Sequence, residues 1–209
     1  MYGTMVVTSK PKAIEYQKTE TDIPATHQHH QKRPLVQRMF LPNTGPASIA
    51  VYLPESKLSY CWDAGSCRFR YIWAGRVPSQ PSGRRNGNMK LGGAVLYTEE
   101  LLFPIRIGDK VTEMVKRDFK GYKLDKMGYP TFEYTVDGMF VREKITVKGN
   151  QLTRHFQITE VKEDLRFMFD SRQSDRFALK GGVKRSHFFD LDKKLARDFK
   201  AVVDLKVKK

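Results

Sequence analysis

The residues with the most evident chemical capacity are Trp62, Asp63, Trp73 and Glu143. An indole presents a flat apolar face that suits a sugar ring, and a neighbouring carboxylate can take its hydroxyls. Trp62 beside Asp63, with Trp73 beyond the next turn and Glu143 as a further carboxylate, therefore nominates a carbohydrate-binding or carbohydrate-active platform. The competing reading carries more weight: both indoles fill the centre of a β-sandwich.

Glu143 has a second reading, together with Arg154. Each interrupts an otherwise apolar strand face: Met139, Val141, Ile145 and Val147 around Glu143, and Leu152, Phe156 and Ile158 around Arg154. A loop of Lys148-Gly149-Asn150-Gln151 opposes Val147 to Leu152, Ile145 to Arg154 and Glu143 to Phe156, which keeps the apolar faces matched. Slipping by one residue would turn one strand inside out. In the matched register Glu143 and Arg154 are diagonal cross-strand neighbours within reach of their long side chains. That pattern favours a structural ion pair at the rim of the sheet over a catalytic carboxylate.

Cys61 and Cys67 lie in Tyr60-Cys61-Trp62-Asp63-Ala64-Gly65-Ser66-Cys67-Arg68, which matches neither a haem-attachment motif nor a paired zinc motif. In an oxidising compartment they can close a small loop. In a reducing one they are two half-buried thiols. His27, His29 and His30 sit in a polar tract without a rigid frame or an acidic or thiolate neighbour, so the sequence places no specific metal site there. Arg68, Arg70, Tyr71 and Trp73 interleave cations and aromatics as single-strand nucleic-acid platforms do. On a strand, however, the two kinds of residue point to opposite faces. Lys180, Gly181, Gly182, Lys184 and Arg185 read equally as a phosphate-facing turn or a sheet-edge loop. No phosphate loop, dinucleotide fingerprint or nucleophile elbow is present.

The elements that must position these residues are almost all strands. Short apolar runs cover residues 48–53 and 58–62, and residues 68–73 alternate, which predicts Phe69, Tyr71 and Trp73 on one face and Arg68 and Arg70 on the other. Residues 75–93 read as a long exposed loop, followed by strands at 94–97, 112–119 and 120–124. A meander spans residues 131–158, with Asp137-Gly138 as a type I′ hairpin turn. Leu165, Phe167 and Phe169 continue the pattern, as do Phe199, Ala201, Val203, Leu205 and Val207, with a short helix or turn between them at 190–198. There is no βαβ rhythm. The expected fold is an all-β antiparallel sandwich, possible as a supersandwich, over residues 34–209. Ahead of it stand a detached strand at 1–8 and a flexible linker at 9–33 whose composition cannot repay its ordering entropy.

The 209 residues carry 38 Lys+Arg against 23 Asp+Glu, a net charge of +15, and 40% hydrophobic residues. So apolar a chain is not wholly disordered. The positive charge is divided between the two halves, +6 over residues 1–100 and +9 over 101–209. This suits a solvated basic exterior better than a concentrated nucleic-acid stripe, so a basic nucleic-acid-binding domain ranks last. No apolar run approaches the ~20 residues of a membrane helix, and the first residues do not read as a signal peptide.

Two stretches resemble known families. Met1-Tyr2-Gly3-Thr4-Met5-Val6-Val7 resembles the closing strand of cupredoxins, with Met1 in the place of the weak axial copper ligand. The cysteine and histidine that precede that methionine in cupredoxins have no counterpart here, which implies the end of a truncated domain without its copper site. From Pro34 onward, the segments around Ser48-Ile49-Ala50-Val51, Ser59-Tyr60-Cys61-Trp62-Asp63-Ala64-Gly65-Ser66-Cys67, Tyr71-Ile72-Trp73-Ala74-Gly75, Phe103-Pro104-Ile105-Arg106-Ile107-Gly108, Phe119-Lys120-Gly121-Tyr122 and Pro130-Thr131-Phe132-Glu133-Tyr134 resemble an uncharacterised β module. That module occurs in large exported bacterial proteins alongside cytochrome c or sugar-dehydrogenase-like domains. The resemblance implies a periplasmic or secreted setting, redox domains or subunits of the cytochrome c type as partners, and a disulfide between Cys61 and Cys67. It implies no reaction and no catalytic residues. Copper or haem c is expected only on other domains, and a glycan remains the alternative partner.

Overall fold

The computed structural model describes residues 32–78, 90–108 and 115–206. The expected strand at 1–8 and all but the last two residues of the linker lie outside them. Along the described chain run β1 (Leu35–Arg38), β2 (Ser48–Leu53), β3 (Leu58–Asp63), β4 (Arg68–Ala74) and β5 (Val95–Thr98). Then come β6 (Ile105–Ile107), β7 (Arg117–Leu124), β8 (Pro130–Val136), β9 (Met139–Lys148) and β10 (Gln151–Thr159). The last are β11 (Leu165–Met168), β12 (Phe177–Leu179), β13 (Val183–Lys184), β14 (Phe188–Leu191) and β15 (Asp198–Asp204). They form three sheets, ordered β1-β2-β3-β4-β5, β12-β15-β10-β9-β8-β7 and β13-β14-β11-β6. The recorded pairings are antiparallel. The fold is an all-β sandwich, and among the described residues no sheet closes into a barrel.

The meander forms where the alternation and turn chemistry require it. Asp137 and Gly138 both take positive φ, 48° and 86°, the pair of left-handed residues that a type I′ turn needs. Between β9 and β10 the register is the one that matches apolar faces: Val147 opposite Leu152, Ile145 opposite Arg154, Glu143 opposite Phe156. Pairing continues to Lys148 and Gln151, so the loop itself shrinks to Gly149-Asn150.

The five-stranded sheet packs on the six-stranded one through aromatic rings. Trp62 lies flat on Phe132, with centroids 4.3 Å apart and planes 1° from parallel. The four-stranded sheet joins through Phe167, which meets Phe156 and Phe199. Its neighbour Phe169 stacks on Phe177.

Two expectations are corrected by bulges. Residues 68–73 do not alternate throughout: Trp62 pairs with Phe69 and Cys61 with Tyr71, leaving Arg70 as an extra residue. One inserted residue reverses the facing of everything beyond it. Phe69 and Ile72 therefore enter the main core, whereas Tyr71 and Trp73 turn to the opposite face. There they form a second cluster with Leu35, Met39, Leu41, Ala50, Tyr52, Cys61 and Val77. Tyr71 Oη donates to the carbonyl of Pro42 and Trp73 Nε1 to that of Arg76, which fastens the covering chain. Val77, at the start of the expected exposed loop, is thus buried; residues 79–89 of that loop are outside the described chain. Similarly, the strands expected at 112–119 and 120–124 are, in the described part, one strand, β7, bulged at Lys120 between Phe119 and Gly121.

Candidate functional site

β9 points Val141, Glu143 and Ile145 inward, and β10 points Leu152, Arg154 and Phe156 inward. The register sets Arg154 diagonally across from Glu143, and the two side chains meet: Arg154 Nε donates to Glu143 Oε1 at 2.7 Å. The other carboxylate oxygen, Oε2, accepts from Trp62 Nε1 at 3.2 Å and from Tyr134 Oη at 3.1 Å. Arg154 has a second acid. Glu99 directly follows β5, where its amide donates to the Arg70 carbonyl, and its Oε2 accepts from Arg154 Nη1 at 3.2 Å. Glu99, Glu143 and Arg154 are 3%, 0% and 1% exposed.

Arg154 stands where the three sheets meet. Its guanidinium carbon lies 5.4 Å from the Phe69 ring, 5.1 Å from Phe156 and 5.9 Å from Phe167, one ring from each sheet. Such rings offer their negative faces to a cation that has left water. Burial alone would pull the guanidinium down, but the Glu143 and Glu99 carboxylates outweigh it and hold Arg154 above its ordinary range. Burial pushes the Glu99 carboxyl up to about 7, against the opposing pull of Arg154. Tyr134 and Tyr97 are raised well above 10, first by burial and then by Glu143 and Glu99 respectively, so both remain hydrogen-bond donors.

The expected ion pair thus exists, but its place is corrected from the rim to the centre of the core. Of the platform residues only Trp62 and Glu143 meet, and they do so inside the core. Trp62 faces the main core and Trp73 the outer cluster, each 0% exposed, so neither ring offers a face to solvent. Asp63 is spent within its own turn: Oδ1 accepts from the Gly65 amide and Oδ2 from Ser66 Oγ, both at 2.9 Å.

Cys61 and Cys67 are unbridged, which departs from the disulfide that the resemblance implied. Cys61 belongs to the outer cluster and Cys67 to the main core. Burial pushes their thiols up to about 12 and about 11, far from the thiolate that reactivity requires. The Gly181-Gly182 segment is a sheet-edge turn in which Lys184 Nζ folds back onto the carbonyls of Ser174 and Phe177. The histidine tract at 27–30 lies outside the described residues.

No family model, curated protein or solved structure matches the chain.

The site is therefore read from its own geometry. Two carboxylates and one guanidinium, closed from water, can share a proton and lock three sheets in one arrangement. Their side chains are at most 1% exposed. Glu99 was not singled out from sequence, because it ends a short strand and interrupts no periodic face. Arg68 is also buried, 6% exposed, and its Nη1 donates to the Leu101 carbonyl just past Glu99.

Proposed function

We propose that this chain is a non-catalytic binding and structural module of a periplasmic electron-transfer protein, working beside cytochrome c- or cupredoxin-type domains. The observation that carries the non-catalytic part is the enclosure of Glu99, Glu143 and Arg154, which spend their hydrogen bonds on one another and on Trp62 and Tyr134. A general acid or base has to come within hydrogen-bond reach of a substrate, and this cluster has no such approach. The redox setting rests on the likeness of the Pro34-onward segments to the exported module. The net charge of +15 suits docking against an acidic neighbour, since surface charge governs encounter and orientation more than raw affinity. The sugar-binding alternative needs an exposed indole, and Trp62 and Trp73 supply none.

The test is fractionation of cells that make the native gene product, followed by haem staining and copper analysis of the polypeptide or complex that contains it. A periplasmic location with haem c or copper in the same assembly is expected. A cytosolic protein purified without any redox centre overturns the reading.

A further inference from the structure

The cluster has an unequal charge count: two carboxylates to one guanidinium, all within the core. Arg154 neutralises one acid. Glu143 holds the shorter contact, 2.7 Å against 3.2 Å, and takes two further donors from Trp62 and Tyr134. Glu99 also has three donors, Arg154 Nη1 on Oε2, the Leu101 amide on Oε1 at 3.4 Å and Tyr97, but its contact with Arg154 is the longer one and that makes it the weaker member. A net negative charge sealed from water is costly, and the least well-solvated acid relieves that cost by keeping its proton.

Glu99 also occupies a mechanically important position. It begins the crossover that carries the chain from β5 in the five-stranded sheet to β6 in the four-stranded sheet. Its side chain ties that crossover to β10 in the six-stranded sheet. We propose that the Glu99–Arg154 contact is a proton-dependent latch, closed in mildly acidic solution, that fastens the β5–β6 crossover to the six-stranded sheet and loosens as the medium becomes alkaline.

The charged and titratable groups around Glu99 come from every neighbouring element. Arg154 on β10 and Glu143 on β9 are the charged pair, and Tyr134 on β8 donates to Glu143. Tyr97 on β5 hydrogen-bonds Glu99 itself. Arg68 on β4 holds the Leu101 carbonyl, and Arg176 lies over the Tyr97 ring with its Nη2 on the Leu96 carbonyl. Burial raises Tyr97 and Tyr134 well above this range, and Glu99 is the group whose charge the latch follows. With its carboxyl near 7 when closed and near the ordinary 4.5 when open to water, the opening equilibrium rises about tenfold between pH 6 and pH 8.5.

The experiment is amide hydrogen exchange on the whole chain at pH 6 and pH 8.5, corrected for intrinsic exchange. Protection over residues 99–107 should fall about tenfold in the wild type and stay level in Glu99→Gln, which keeps the shape and removes the charge. Unchanged protection in the wild type, or an equal fall in Glu99→Gln, overturns the latch. Should Glu99→Gln not fold, carbon-13 carboxyl titration of the wild type decides: Glu99 titrating near neutrality supports the proposal, and a Glu99 already ionised at pH 6 overturns it. These readouts report on the latch alone, whatever partner the module serves.

Discussion

Arg142 and Glu143 are adjacent on β9 and belong to two ionic clusters of opposite design. Outside, Glu133 Oε1 takes Lys123 Nζ at 3.0 Å and Arg142 Nε at 3.2 Å, two bases to one acid, with the bases 73% and 46% exposed. Inside, Arg154 takes Glu143 and Glu99, two acids to one base, with every member at 1% or less side-chain exposure. The geometry is alike and the surroundings are not. Glu133 itself is only 12% exposed on its side chain, but water reaches and screens both of its bases, so the outer cluster's worth is small. The inner cluster has no such screening. Its strength lies less in what it adds than in what its partial loss would leave behind, a buried charge without a partner.

Substitutions can break this contrast at its strongest point. Arg154→Leu leaves two carboxylates facing each other without a cation, and the expected loss of stability is about 3–5 kcal/mol, read as a lower urea midpoint. A loss similar to that of an exposed arginine would contradict the contrast. The next effect comes from pH. The Glu99 carboxyl is raised on folding, so the folded state binds the proton more tightly than the unfolded one. Stability is then greatest below about 4.5 as far as this group is concerned, and declines as pH rises through about 7, by about 3 kcal/mol in all. The outer carboxylates act in the opposite sense. Hydrogen bonds from Lys123 to Glu133 and from Lys144 to Asp125 hold those acids below the usual range, so their contribution is lost only as pH falls into strong acid. Urea midpoints between pH 5 and pH 8.5 should therefore decline in the wild type and remain nearly level in Glu99→Gln.

Trp62→Phe sharpens the account further. It preserves most of the stack on Phe132 but removes the donor to Glu143 Oε2, at an expected cost of about 1–3 kcal/mol; a change no larger than that of a solvent-exposed substitution would show that the indole N–H does not matter. The smallest effect belongs to the outer cluster. Glu133→Gln should cost under about 1 kcal/mol, and that cost should shrink in high salt. A larger, salt-insensitive loss would place Glu133 energetically inside the core.

Much of this arrangement was legible in the sequence because it is local. Asp137-Gly138 dictates a tight hairpin, and the apolar alternation on both sides of Gly149-Asn150 admits one register, which brings Glu143 and Arg154 together. Their depth was not legible. Whether a sheet face is rim or centre depends on the sheet laid over it, and neither strand encodes Trp62 or Phe69 as its cover. Glu99 escaped notice because a single acid after a four-residue strand breaks no pattern. The two tryptophans were misplaced relative to each other for a different reason. The bulge at Arg70 contains no glycine or proline to announce it, so perfect alternation was the natural expectation for a segment whose pairing with β3 skips a residue.

The most direct test of the inner cluster is a double-mutant cycle on Glu143 and Arg154 by urea unfolding, with Glu143→Leu, Arg154→Met and the pair combined. Each single change should cost about 3–5 kcal/mol, and the double variant should be clearly more stable than the sum of the two losses implies, because it removes both halves of the buried pair at once. Single losses below about 1 kcal/mol that add without coupling would mean that the two groups are solvated, and that the core described here is not the one the protein has.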